Sequence, residues 1–493
     1  MIKHTTFPHC IAVIIFLFVF GNGHVQWAHA QWLNTDIYDM PLQQVLGQIE
    51  QRYNVQLRYE ERHVRGHTVL RAPWRFYADV ESTLDNVLRP LDMRWEKTRE
   101  GVYRIQRWDY FRKPFAEGKA HLNELLAAYP NLESWKTRRD KLRTHILKTQ
   151  GLTGLTKGPL NPIVSDRREF DGYTVQNIAL ETLPGVWVSG SLYKPANYEG
   201  KIPIFLSPHG HFQSGADLNE RGRYRPDQQY RCAMLARLGV AVFSYDKFAW
   251  SESTLAFSMQ RDHRSDLGLI MQTWQSICIL DYLCSQTWAD TTRVGATGAS
   301  GGASQVMLIA ALDDRITLSV PVVMTASHFF GGCPCESGLP IHFPDGLSSN
   351  TLPSNNAEIA AMAAPMPQLL ISVGNDWTET TPDIELPYLK QIYGYYGKED
   401  AVENVHLTNE GHDYGISKRN ALYEFVARNF GLDAARIKDS DGHWDESRVR
   451  IESAEAMLVF PDGTLPEHAV RDSASLRELL NLRRRESPTL SAQ

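Results

Sequence analysis

Cysteine is scarce in this chain, with six among 493 residues, and no sign of charge prevails. Cys10 lies in the first thirty residues, ahead of an apolar run, so it is not placed as a lipoprotein cysteine. Without it five cysteines remain, an odd number, so at least one thiol stays unpaired within a monomer. Cys278 and Cys284 fall in an apolar helical stretch and read as small buried hydrophobes. The net charge is −6, with acidic and basic residues well mixed, so nothing suggests a nucleic-acid surface or a polybasic membrane patch. Long hydrophobic runs are missing too. The longest, residues 11–20, is too short to cross a bilayer as a helix.

What is present begins with a secretory signal over residues 1–30. Lys3 and His4 give a weakly basic start, the apolar run follows, and Ala28-His29-Ala30 offers a small-x-small cleavage site. The mature protein is therefore expected in the periplasm or outside the cell. Residues 31–108 read as a small α/β domain with an internal repeat. Leu42, Val45, Leu46, Ile49 and Tyr53 share a helical face, and Val55, Leu57 and Tyr59 alternate as a strand. Val80, Leu84, Val87 and Leu88, then Leu91, Met93 and Trp95, repeat that pattern before a closing strand at 102–105. The repeated L-x-x-V-L helix followed by an alternating strand resembles the short N-terminal domain of secretins and TonB-dependent transducers. That resemblance implies protein contacts in the envelope. Residues 109–160 are expected as a helical linker, ending at the Gly- and Pro-rich stretch 151–162.

From Tyr173 onward, strands alternate with helices. Residues 175–180 and 186–192 read as an antiparallel hairpin around Pro184-Gly185, and apolar strands are expected at 202–207, 240–245, 293–297, 316–324, 368–373 and 404–408. The helices between them include 269–284, 382–396 and 417–430. This alternation predicts an α/β fold with a mainly parallel central sheet over residues 161–432, with active groups at the carboxyl ends of the strands. Residues 433–493 form a polar extension, with a strand-like piece at 456–460 and a terminal helix at 473–485.

Gly298-Ala299-Ser300-Gly301-Gly302 fits G-x-S-x-G between a strand and a helix, the setting of a nucleophile elbow. A serine hydroxyl needs a base, and the base needs an orienting carboxylate. Asp376 lies just past strand 368–373, whereas Glu379 and Asp383 sit toward the following helix. His412 follows the last strand in Glu410-Gly411-His412-Asp413-Tyr414-Gly415, so Ser300, Asp376 and His412 come in α/β-hydrolase order. Asp413, adjacent to the histidine, reads as a loop residue. The amides of Gly301 and His211 are placed to form an oxyanion hole, with the His209 imidazole bracing that loop. Arg221, Arg223, Trp250 and Trp377 follow strand ends, and these residues and His209 are the candidate wall of the substrate pocket.

Pro208-His209-Gly210-His211, Phe243-Ser244-Tyr245-Asp246, Thr297-Gly298-Ala299-Ser300-Gly301-Gly302, Asp376-Trp377-Thr378 and Gly411-His412-Asp413-Tyr414-Gly415 together resemble bacterial acetyl xylan esterase-like α/β-hydrolases. The resemblance spans roughly residues 130–432. It implies a serine esterase acting on ester-linked acyl groups, acetyl groups on carbohydrate above all, and an acyl-enzyme. No metal or organic cofactor is expected. Gly332-Cys333-Pro334-Cys335-Glu336 is similar to a loop near the site in that group, and residues 328–356 are expected to form a lid or pocket wall. Cys333 and Cys335 lack partners at zinc-site spacing, which leaves a local disulfide or two packed thiols. Two other readings share parts of the pattern. A serine exopeptidase has the same triad but needs a larger N-terminal domain or an acidic pair for an amine. A non-catalytic envelope protein would bind a partner through residues 31–108.

Overall fold

The computed structural model describes residues 38–88, 91, 93–107, 113–212, 217–332, 334–337 and 352–486. The expected signal segment, Cys10, Cys333 and most of the expected lid lie outside them. The chain divides into two compact units, Met1–Gln106 and Arg107–Gln493.

In the first unit the two repeats fold as read. Helix Leu42–Tyr53 precedes strand Gln56–Arg58, and helix Val80–Leu88 precedes the strands Met93–Arg99 and Val102–Arg107. Strand Gln56–Arg58 pairs in parallel with Val102–Arg107, which lies at the centre of the three-stranded sheet. Leu42, Val45, Leu46 and Ile49 pack with Leu84, Val87, Leu88, Tyr103 and Ile105 in one core, so the helical periodicity marks the buried face.

The second unit is built on eight main strands: β1 (Tyr173–Leu183), β2 (Val186–Pro195), β3 (Ile202–Pro208), β4 (Ala241–Tyr245), β5 (Ala289–Ala299), β6 (Leu318–Val322), β7 (Gln368–Val373) and β8 (Val402–Leu407). Their order is β8-β7-β6-β5-β3-β4-β2-β1, and two short strands at 163–164 and 168–170 pair with β1. β3 to β8 are parallel, whereas β2 runs antiparallel to β1 and β4. Five helices cover the sheet: α1 (Pro226–Leu238), α2 (Asp266–Cys284), α3 (Gly301–Leu312), α4 (Leu386–Tyr395) and α5 (Ile416–Phe430). α1 and α5 share a core with Phe205, Val320, Ile371 and Val373, while α2 and α3 pack with Ile204, Leu206, Val294 and Ala296. β3 is therefore apolar on both faces, as a sheet covered by helices on both sides requires.

Residues 109–160 depart from the linker expectation. Helices Phe115–Ala128 and Leu132–Thr149 bury Leu122, Trp135, Leu142 and Ile146 in the same core as Met307, Leu308 and Leu389. Arg138 Nε bonds Glu358 Oε1 at 2.7 Å, and the hydroxyls of Tyr129 and Tyr388 are 2.7 Å apart. Their outward faces are so charged that the sequence pattern hides the buried stripe. The extension also packs inward, with Leu476 and Leu480 in a core with Trp274 and Phe248. The strand-like piece expected at 456–460 forms no strand and starts in a 3-10 turn, Glu455–Met457, whereas terminal helix Ser473–Glu486 forms as read.

If the helical pair belongs to this core, Trp135→Ala should destabilise the protein by about 3–5 kcal/mol, the usual cost of emptying a buried tryptophan site. Urea denaturation followed by near-ultraviolet circular dichroism reads this directly, and an unchanged midpoint would mean that the pair is a separable linker.

Candidate active site

Ser300 sits at the carboxyl end of β5 with φ 55° and ψ −125°, a conformation that a non-glycine residue rarely adopts. Its amide bonds the Val322 carbonyl at 3.0 Å, and α3 starts at the next residue. The turn can form because its neighbours lack side chains. A Cβ on Gly298 would lie 2.7 Å from the Pro208 carbonyl oxygen, and one on Gly302 would lie 2.5 Å from the same atom. The nucleophile elbow is thus pressed against the loop that leaves β3. Gly210 belongs to the same contact, since a Cβ there would meet the Ala299 carbonyl at 2.6 Å. The backbone carrying His211 is therefore held beside Ser300, where the sequence placed an oxyanion donor.

The Asp376 and His412 side chains meet across the ends of β7 and β8. His412 Nδ1 lies 2.8 Å from Asp376 Oδ2, and Asp376 Oδ1 accepts from the Thr378 amide and hydroxyl at 2.5 Å each. The Trp377 ring lies 4.4 Å from the His412 ring, and Phe212 flanks it at 5.7 Å. Asp413 turns away, accepting from Lys418 Nζ and the Gly415 amide at 2.7 Å each. Asp376, not Asp413, is thus the carboxylate on the imidazole. Among the described residues no hydrogen bond joins Ser300 to His412. The Ser300 hydroxyl instead donates to Glu336 Oε1 at 3.4 Å.

Glu336 belongs to a buried polar group that sequence reasoning did not assemble. Its Oε1 also lies 2.7 Å from His211 Nδ1, and its Oε2 accepts from the Gly332 amide at 2.7 Å. Burial opposes its ionisation, but His211, Lys247 and the Gly332 amide outweigh that and hold the carboxyl down at about 2. Lys247, the residue after Asp246 at the end of β4, is fully buried, and among the described residues its ammonium makes no hydrogen bond. Burial lowers its pKa to about 8, against the pull of Glu336. Lys247 Nζ, Glu336 Oε1 and the His211 ring all converge on the face of Gly301. His211, His263 and Cys335 form a tight cluster beyond it. Burial leads the causes that lower the pKa of both His211 and His263. Lys247 and Glu336 both stood inside or beside quoted motifs, but only folding brings them together, and no sequence signal marked His263.

The other pocket candidates take different places. Arg223 is fully buried, with Nε on Asp246 Oδ1 and Nη2 on Glu252 Oε2, both at 2.7 Å, so it braces the scaffold and does not line a pocket. His209 is likewise buried; its Nε2 accepts from the Lys247 amide at 3.1 Å and its Nδ1 lies 2.8 Å from the Gly210 carbonyl, which is loop bracing. Trp250 is mostly buried and packs against the rings of His209, His211 and His263. Trp377 alone among these four stands half-exposed beside His412.

The fold and enzyme class are those of an α/β-hydrolase that cleaves carboxylic esters. Methylesterase BT1017 is 41% identical over 92% of this chain and 97% of its own, with a TM-score of 0.69. The chain belongs to the family of that methylesterase. A glucuronoyl esterase from Solibacter usitatus (15% identity, 61% of this chain, 94% of its own, TM-score 0.44) and an acetyl xylan esterase from Paenibacillus sp. R4 (14%, 64%, 99%, 0.38) are more remote. At that level neither bears on the chemistry of this chain. No family model and no curated protein matches it.

Gly301→Ala tests the crowding at the elbow. A Cβ there would stand 2.5 Å from His211 Cε1, 2.6 Å from Lys247 Nζ and 2.7 Å from Glu336 Oε1. Displacing a donor of the oxyanion hole costs about 10²–10³ in kcat. The variant should therefore lose at least that much ester turnover while keeping a native far-ultraviolet circular dichroism spectrum.

Proposed function

We propose that the protein is an exported serine esterase acting on carbohydrate esters, with Ser300 as nucleophile, His412 as base and Asp376 as the group that orients the base. The observation that carries this reading is the His412–Asp376 pair at 2.8 Å, following β8 and β7 while Ser300 ends β5. Asp376 accepts the Nδ1 proton, so Nε2 is the nitrogen left to take the serine proton. The Ser300 hydroxyl turns from Glu336 to His412 when substrate enters. Resting geometries of this kind commonly tighten only in the complex. Glu336 contacts the hydroxyl directly but is unfit as the base, since a carboxyl held at about 2 takes up a proton poorly at neutral pH.

Ser300 then attacks the ester carbonyl, and the amides of Gly301 and His211 receive the oxyanion. The Lys247 ammonium adds positive charge beside Gly301, where negative charge accumulates. His412 returns the proton to the departing alcohol, and water hydrolyses the acyl-enzyme with the same base. Two ester classes are read as candidates. The family relationship to a methylesterase favours methyl esters of carbohydrate carboxyl groups, which release methanol. The motif resemblance favours acetyl esters, which release acetate. Trp377, half-exposed beside His412, is read as part of the sugar-facing wall. Residues 31–108 are read as an envelope protein-contact module, and residues 1–30 as a signal removed on export.

Assay of methyl-esterified uronide oligosaccharides beside acetylated, glucuronoyl and feruloyl esters separates the substrate classes by the product released. Ser300→Ala should lower turnover by ~10⁶ if the triad acts as a unit. Fluorophosphonate labelling confined to Ser300 excludes the non-catalytic reading, and retained activity in the alanine variant would overturn the assignment. Export predicts a mature chain beginning at Gln31, read by intact-mass measurement of the periplasmic or secreted protein.

A further inference from the structure

Lys247 carries a charge that the scaffold encloses without giving it a hydrogen bond. Its amide donates to His209 Nε2 at 3.1 Å and its carbonyl accepts from the Trp250 amide at 2.9 Å, so its backbone is tied to the loop that carries His211. Its side chain is fully buried, and among the described residues its ammonium has no hydrogen-bond partner. An ammonium taken out of water needs a counter-charge. The carboxylate next to it in sequence does not provide one. Asp246 accepts from Arg223 Nε at 2.7 Å and from the Glu252 amide at 3.2 Å, and Glu252 in turn accepts from Arg223 Nη2. Glu336 does. Lys247 Nζ and Glu336 Oε1 lie 2.6 and 2.7 Å from the point where a Cβ on Gly301 would stand. The two charges are therefore within about 5 Å of each other, a range at which each favours the ionised form of the other.

The position of Glu336 creates a difficulty for the chemistry. Its Oε1 accepts from the Ser300 hydroxyl at 3.4 Å and lies 2.7 Å from His211 Nδ1. An ionised carboxylate there raises the energy of negative charge formed beside it, and enclosure strengthens the effect. The oxyanion, held at the Gly301 amide where α3 begins, would form under that field. The surrounding imidazoles do not cancel it. Burial lowers the pKa of His209, His211 and His263, with Lys247 repelling the proton of each as well, so all three are neutral at pH 7. Arg264 adds a weaker repulsion to His211. The ammonium of Lys247 is the cation that faces Glu336 across Gly301.

We propose that Lys247 is a positioning residue for the esterase reaction, whose ammonium offsets the Glu336 carboxylate so that a carboxylate touching the Ser300 hydroxyl does not oppose the oxyanion. The proposal rests on Ser300 as nucleophile and adds that the two buried charges act as a pair. Removing the ammonium alone leaves the field of the carboxylate unanswered. Removing both charges leaves a neutral site in which the Gly301 and His211 amides still act. A pH dependence follows. Burial brings the ammonium down to about 8 against the pull of Glu336, whereas Glu336 stays ionised down to about 2. Raising the pH through about 8 thus removes the positive charge and keeps the negative one, and turnover should fall there.

The test compares wild type, Lys247→Met, Glu336→Gln and the double variant on p-nitrophenyl acetate from neutral to alkaline pH. Lys247→Met should lower kcat by about 10²-fold or more with KM little changed, the scale on which charge at an oxyanion acts. It should also lose the alkaline limb near 8. Adding Glu336→Gln to it should restore kcat by about tenfold, a coupling of the size that neighbouring groups show. A packing defect at 247 would not be repaired by a neutral isostere at 336. Thermal melts show which variants fold. Should Lys247→Met fail to fold, Glu336→Gln decides alone: without the carboxylate's pull its alkaline limb should move to lower pH, and an unmoved limb overturns the proposal. An unchanged kcat or a retained limb in Lys247→Met, or a double variant no better than it, does the same. Ser300→Ala loses turnover whatever the pair does, so the triad reading and this one fail separately.

Discussion

The structure of the second unit turns on the close approach of the Ser300 turn to the backbone leaving β3. A serine with φ 55° persists only where its surroundings over-determine it. Here the surroundings are the Pro208 carbonyl, less than van der Waals distance from where side chains at 298 and 302 would begin. The two strands β3 and β5 lie side by side in the sheet, so their ends emerge together and fix the elbow and the His211 loop as one piece. α3 then leaves from Gly301 almost wholly buried, which anchors the elbow to the core and not to a surface loop. Position is therefore set before any substrate arrives.

Around that turn the charges are arranged unevenly. On one side the His412–Asp376 pair keeps contact with solvent through a half-buried imidazole. On the other, Glu336, Lys247 and the His263 imidazole are enclosed, where an ionic group acts over a longer reach than in water. The hydroxyl of Ser300 rests on the enclosed side, donating to Glu336.

Much of this was legible in the sequence, and the reason is periodicity. Ser300, Asp376 and His412 each follow a strand whose apolar run could be counted, so chain order alone placed them on one edge of a parallel sheet. The same logic recovered the paired helix–strand repeats of the first unit. What stayed hidden had no period to betray it. Helices 115–128 and 132–149 had readable spacing, but nothing in it said that Trp135 and Leu142 enter the same core as Met307 and Leu389. Lys247 drew no reading from the sequence, and only the fold shows it buried beside Glu336 and Gly301. Arg223 shows the opposite failure: an arginine after a strand end suggests a ligand, and here the partners are carboxylates of the scaffold.

Those carboxylates have a consequence for what counts as the catalytic domain. The Arg223 guanidinium also donates to the Met457 carbonyl at 3.0 Å, and Glu252 Oε1 accepts from the amides of Val459 and Phe460 at 2.8 and 2.7 Å. A charged triad deep in the hydrolase unit is thus finished by main-chain atoms some thirty positions past the last sheet-covering helix. The extension behaves as a clasp whose backbone replaces the water that ions at that depth would otherwise demand. A gene cut after α5 would encode all eight main strands of the described sheet, yet leave this ionic knot short of ligands at its centre.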